Sequence, residues 1–230
     1  MYRKFVNARS PMRLLEKGLH GGLGIGNLGA CVAGRGVGKT SFLVGVALDE
    51  LLRGGTVIHI ALEQSVGHVR DHYDAIYSSL ARETHLDDAW LTRTELDQNR
   101  RIHAFSPRDF NATKLAHVAQ LEAEVGGVRP TLMVIDGLSA AEISLDDFLA
   151  IQELAQAWAV EVWFSFDSED ERVKGLPAEY AGIEGIMSVV LALEPRGDEV
   201  RLRALKDHDN EDLLKLHVGL DPRTLLLVRN

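Results

Sequence analysis

Residues 33–40 read Ala33-Gly34-Arg35-Gly36-Val37-Gly38-Lys39-Thr40. Three glycines alternate with larger residues ahead of a cation and a hydroxyl. The chemistry this suits is the wrapping of a phosphate chain. Backbone N–H groups must approach the phosphates closely, and side chains would block them. Gly34, Gly36 and Gly38 leave the backbone bare, while Lys39 would reach the β- and γ-phosphates and the Thr40 hydroxyl would ligate Mg²⁺. The string matches the Walker A pattern with Ala33 in place of its first glycine. Ser41 belongs with the same nucleotide-binding set. The expected ligand is ATP or ADP with Mg²⁺.

Two acids complete a candidate hydrolytic site. Thr131–Asp136 is an apolar run ending in a carboxylate, the form of a Walker B strand. Asp136 would emerge beside the loop and hold the metal directly or through water. Thr56–Leu62 is followed by Glu63, which would orient and polarise an attacking water. The competing reading of Glu63 is an acid that leads the next helix. A second glycine string, Gly24-Ile25-Gly26-Asn27-Leu28-Gly29, fits G-x-G-x-x-G but enters a strand instead of leaving one. It is read as an entry loop.

Positioning these groups needs strands that end at one edge. Short apolar runs alternate with longer amphipathic ones, which predicts an α/β fold with a mainly parallel sheet and helices on both faces. Expected strands are Leu28–Ala33, Thr56–Leu62, Arg101–Phe105, Thr131–Asp136, Glu161–Phe166, Ile186–Leu193, Glu199–Lys206, Leu213–Val218 and Leu225–Val228. Expected helices are Thr40–Arg53, Val66–Arg82, Asp87–Arg100, Ala112–Val125 and Asp146–Ala157, with Asn111 and Ser144 as N-caps of the last two. From Ile186 onward strand follows strand, so the fold should finish in antiparallel hairpins turning at Gly197-Asp198 and Asp221-Pro222.

The chain has 230 residues, a net charge of −9 and one cysteine, Cys31. An internal disulfide is excluded, and no run has the length of a membrane span. The N-terminus lacks an apolar signal core, so a cytoplasmic location is expected. The net charge disfavours wholesale attachment to nucleic acid. Residues 1–18 are basic and are read as an N-terminal arm, either docked or solvated, ahead of one ATPase domain over 19–230. His68 and His72 share a helix face, but no third ligand follows them, so packed or solvated histidines are the better reading. Trp158 and Trp163 are read as core.

The order of these motifs resembles the RecA-type ATPase core, in its KaiC, RadA and DnaB-like branch. GGLGIGNLGACVAGRGVGKTS is similar to that branch's opening, VIHIALEQS to its glutamate-bearing strand, and LMVIDGLS to its Walker B strand. LRALKDHDNE and LDPRTLLLV are similar to its last strands. The resemblance implies that Glu63 activates water and that Lys206 reaches a neighbouring subunit's nucleotide. It also implies a homo-oligomer with nucleotide near the interface. The branch's arginine two residues after that lysine is His208 here, which offers no fixed forked cation. A polar sensor is expected near the end of the Glu161–Phe166 strand, with Ser165 and Asp167 as candidates. The two loops where motors hold nucleic acid, Gly137–Glu142 and Asp167–Arg172, are cation-free and acidic respectively, so a DNA motor is disfavoured. The reading is a Mg²⁺-dependent, regulatory or assembly-related ATPase with its protein partner unidentified. A nucleotide-dependent binding module with little turnover, and a recombination- or helicase-type motor, stand as alternatives.

Overall fold

The computed structural model describes residues 2–139, 142–170 and 172–229. Its centre is a nine-stranded sheet in the order β3-β2-β4-β5-β1-β6-β7-β8-β9. The strands are β1 (Leu28–Ala33), β2 (Val57–Ala61), β3 (Arg100–Ala104), β4 (Leu132–Asp136), β5 (Glu161–Asp167), β6 (Met187–Arg196), β7 (Glu199–Asp207), β8 (Val218–Leu220) and β9 (Leu227–Arg229). The first six are mutually parallel, and β7, β8 and β9 add on antiparallel. The expected fold class is therefore the observed one. β1, β2, β4 and most of β5 are buried on both faces, which is why they read as unbroken apolar runs.

Side chains along β1 divide between two cores with period 2. Cys31 and Ala33 face one, while Leu28, Ala30 and Val32 face the other. The first core is covered by α1 (Arg3–Ala8), α2 (Met12–Gly18), α3 (Lys39–Leu52), α4 (Val66–Thr84) and α5 (Ala89–Asn99). The second lies under α6 (Ala112–Glu124), α7 (Leu145–Trp158) and a 3-10 helix at Ala178–Ile183. Both expected N-caps form. Asn111 accepts from the Lys114 N–H at 2.9 Å. Ser144 and Asp147 build a reciprocal capping box, and Asp147 also accepts from the Ala112 N–H at 3.1 Å, tying α7 to α6.

The basic N-terminal residues form helices packed on α3. Arg3 donates to the Leu51 and Leu52 carbonyls at 2.7 Å, a cation on the open C-terminal end of α3. Arg13 pairs with the buried Asp49 of the same helix. The strand expected at Leu213–Val218 is a correction: pairing begins only at Val218 and runs to Leu220. Leu213 and Leu214 are exposed, so burial does not hold them extended. His217 sits in the left-handed region at φ 49°, which breaks the extended path.

His59 of β2 is fully buried, with Nδ1 3.1 Å from the Tyr73 hydroxyl and no hydrogen-bond partner for Nε2 among the described residues. Burial lowers its pKa from 6.5 to about 4. Between those values the unfolded chain binds a proton that the folded chain refuses. Stability should therefore fall as the pH falls through that window, and His59→Leu should flatten the loss in chemical denaturation followed from pH 7 to pH 4.

Candidate functional site

Because β1, β5, β4 and β2 run parallel, their carboxyl ends share one edge. Ala33 is in register with Asp167, and Ala61 with Asp136. β5 lies between the loop-bearing β1 and the Asp136-bearing β4. A cleft of about 520 Å³ opens over this edge, lined by Arg35, Lys39, Thr40, Glu63, Asp136 and Asp167 among others. Sheets of this kind place ligands beyond the carboxyl ends of their strands, where successive connections diverge.

The loop between β1 and α3 folds as its glycines require. Gly38 is the residue before the first turn of α3, at φ 117°, a conformation that side chains resist. A Cβ there would also stand 2.5 Å from Leu220 Cδ2. The first amides and the positive end of a fourteen-residue helix thus point into the cleft. Ala33 and Gly34 sit at its root and give their carbonyls to Lys39 Nζ at 3.1 and 3.0 Å. Gly36, Val37 and Ser41 complete the lining of this side.

The acids converge on the loop. Thr40 Oγ1 donates to Asp136 Oδ2 at 2.7 Å, so the two expected metal-holding groups already touch. Ser165 Oγ donates to Asp136 Oδ1 at 2.5 Å and accepts from the Gly137 N–H at 2.9 Å. Asp136 is buried, yet both its oxygens are satisfied by hydroxyls. Glu63 is exposed in the cleft and lies against Gly137, where an added Cβ would stand 2.9 Å from its Cγ. The glycine after Asp136 thus makes room for the glutamate from the neighbouring strand.

The chain matches the family described as AAA domain over residues 4–163. It belongs to that family. No curated protein matches it. As an AAA domain it is a nucleotide-binding domain of the P-loop ATPase type. The match spans the loop, Glu63 and Asp136 and stops inside β5, before the closing strands.

Several residues of this AAA domain's cleft escaped the sequence reading. Gln64, His72, Leu220, Pro222 and Leu225 line it. The last three come from the end of β8 and the β8–β9 turn, which fold back over the loop. No local pattern marks them. His72, read from the sequence as a packed or solvated histidine, stands at the cleft wall; among the described residues there is no group of three His, Cys, Asp or Glu fit to hold a metal. Burial, then the neighbouring His68, lowers the His72 pKa. The two sensor candidates divide their work, with Ser165 on Asp136 and Asp167 on Lys39, at 2.6 Å.

Lys206, which the resemblance assigns to a neighbouring subunit's nucleotide, does not line its own chain's cleft. It stands on β7, beyond β6, and donates to the Glu184 carbonyl at 2.6 Å. His208 is held within the chain: Nδ1 is 2.8 Å from Asp207 Oδ1, and Nε2 is 3.0 Å from the Leu23 carbonyl.

Gly38→Ala should destabilise the fold by roughly 1–3 kcal/mol, through the forced positive φ and the clash with Leu220. Gly36→Ala meets nothing within 4 Å and should carry only the backbone strain of its φ of 75°. Thermal unfolding of the two variants side by side checks the order.

Proposed function

We propose that this AAA domain hydrolyses ATP with Mg²⁺ in a regulatory or assembly role, as a cytoplasmic homo-oligomer of the RecA and KaiC-like kind with nucleotide near the subunit interface. The observation that carries the reading is the convergence of Lys39, Thr40, Asp136 and Glu63 on one cleft from three different elements. Residues 1–18 are proposed as an N-terminal arm to a domain over 19–230.

Magnesium suits the donors present. It favours oxygen ligands and usually takes one or two from protein, with the rest from phosphate and water. Thr40 Oγ1 and Asp136 Oδ2 offer that pair. Once bound, the ion would neutralise charge on the phosphates. The chain's own groups do the rest. The loop amides and Lys39 stabilise charge on the transferring phosphoryl group. Glu63, a carboxylate on the cleft's open side, orients a water for in-line attack and takes its proton. Ser165 fixes the Asp136 carboxylate so that one oxygen stays toward Thr40.

A binding module with little turnover is the second reading. His208, standing where the resemblance expects an arginine and engaged by Asp207 and Leu23, favours it, since an imidazole offers no fixed forked cation. A DNA motor has less support. The loop after β4 has no cation, and the segment after β5 carries Glu169 and Asp170. Ala140, Ala141 and Glu171 of these loops lie outside the described residues.

Glu63→Gln should cut steady-state phosphate release by about a hundredfold or more while leaving ATP affinity unchanged. Negligible release by the wild-type protein, with ATP still bound, would instead select the binding module. Lys39→Ala should weaken ATP binding by about tenfold or more, measured by calorimetry.

A further inference from the structure

Asp167 closes β5 and puts its carboxylate against the phosphate-binding loop. Oδ1 is 2.6 Å from Lys39 Nζ, and Oδ2 accepts from Arg35 Nε at 2.9 Å. An ammonium has three N–H donors. Those of Lys39 are met by the Ala33 carbonyl, the Gly34 carbonyl and Asp167. A phosphate oxygen can gain Lys39 only if one of these acceptors lets go. The Ala33 and Gly34 carbonyls belong to the backbone at the root of the loop. The carboxylate is on a side chain, 40% exposed, and can turn away.

We propose that Asp167 is an internal competitor for the phosphate chain: it occupies the loop lysine, and nucleotide binding is an exchange of one anion for another. This rests on the nucleotide-binding reading of the cleft and adds a residue that sets its affinity. The backbone around Asp167 is fixed, with Ala33 in register beside it and the Ser168 N–H bonded to the Ala33 carbonyl at 3.0 Å. Release is therefore a side-chain rotation, not a loop rearrangement. Arg35 is 85% exposed at its side chain and is free to follow the carboxylate outward. A phosphate chain wins the exchange because the loop amides and the α3 terminus also donate to it, which they do not do for Asp167. The carboxylate nonetheless remains close to the incoming phosphates, and like charges at short range oppose binding.

Asp167→Asn keeps the side chain's size and removes its charge. It should tighten binding of Mg-ATP about three- to tenfold, the range of a partly exposed charge pair, and speed association. Inorganic tripolyphosphate should gain by the same factor, since the effect lies on the phosphates and not on the base. Asp167→Ser, which shortens the side chain, should gain as well. Misfolding would weaken binding, so a gain cannot be its product. Unchanged or weaker binding by both variants, with the wild type binding normally, overturns the proposal, and weaker binding makes Asp167 a support for bound phosphate. If the folded wild-type protein binds neither ATP nor tripolyphosphate, the nucleotide-binding reading falls and this proposal with it.

Discussion

The parallel register of β1, β5 and β4 is the constraint on which the cleft depends. Hydrogen bonding between these strands sets Ala33 beside Asp167 and carries Asp136 to the same edge. The loop after β1 can then meet a carboxylate 96 residues away, and the Thr40–Asp136 hydrogen bond records that meeting. Each strand is covered on both faces, so the register is held by two cores at once. A slip of one residue would exchange the cores' side chains and withdraw the acids together.

Charge is distributed around this edge with some economy. The chain is acidic overall, yet Lys39 and Arg35 stand at the cleft. Burial alone would raise the Asp167 pKa, but hydrogen bonds from Lys39 and Arg35 outweigh it and hold the carboxyl below its ordinary value. The group is therefore a full negative charge at neutral pH, which is what allows it to contend with phosphate. Asp136 differs: its partners are hydroxyls, which can reorient toward another acceptor without leaving a cation unpaired.

The peripheral elements support the same centre. Arg3 and Arg13 fasten α1 and α2 to the far end of α3, whose near end faces the cleft. On the same face of the sheet the end of β8 and the β8–β9 turn bring Leu220, Pro222 and Leu225 to the loop, and Leu227 packs near Gly45 of α3. α3 is thus gripped from both termini of the chain.

Much of this was legible in the sequence by itself. The glycines at 34, 36 and 38 have one good use ahead of Lys39 and Thr40, because bare backbone and a helix start are local requirements. The strand limits were readable wherever burial on both faces enforces an apolar run, and the caps at Asn111 and Ser144 wherever a side chain serves its own helix. Leu213–Val218 misled because Leu213 and Leu214 look like strand residues while facing solvent. Other features were decided only by tertiary structure. The sequence offered Ser165 and Asp167 as equals; they share one face of β5, and their places along it separate them, Ser165 lying beside the end of β4 and bonding Asp136, Asp167 standing at the strand's last position and meeting Lys39. It left the basic N-terminus open between docked and solvated, and the carbonyls at the end of α3 decided that. Gln64, His72 and the β8–β9 turn reach the cleft by long-range packing, for which no short-range pattern exists. The chemistry of each group is local and written in the chain, but which groups meet depends on strand order, and that is settled only when both faces of the sheet are buried.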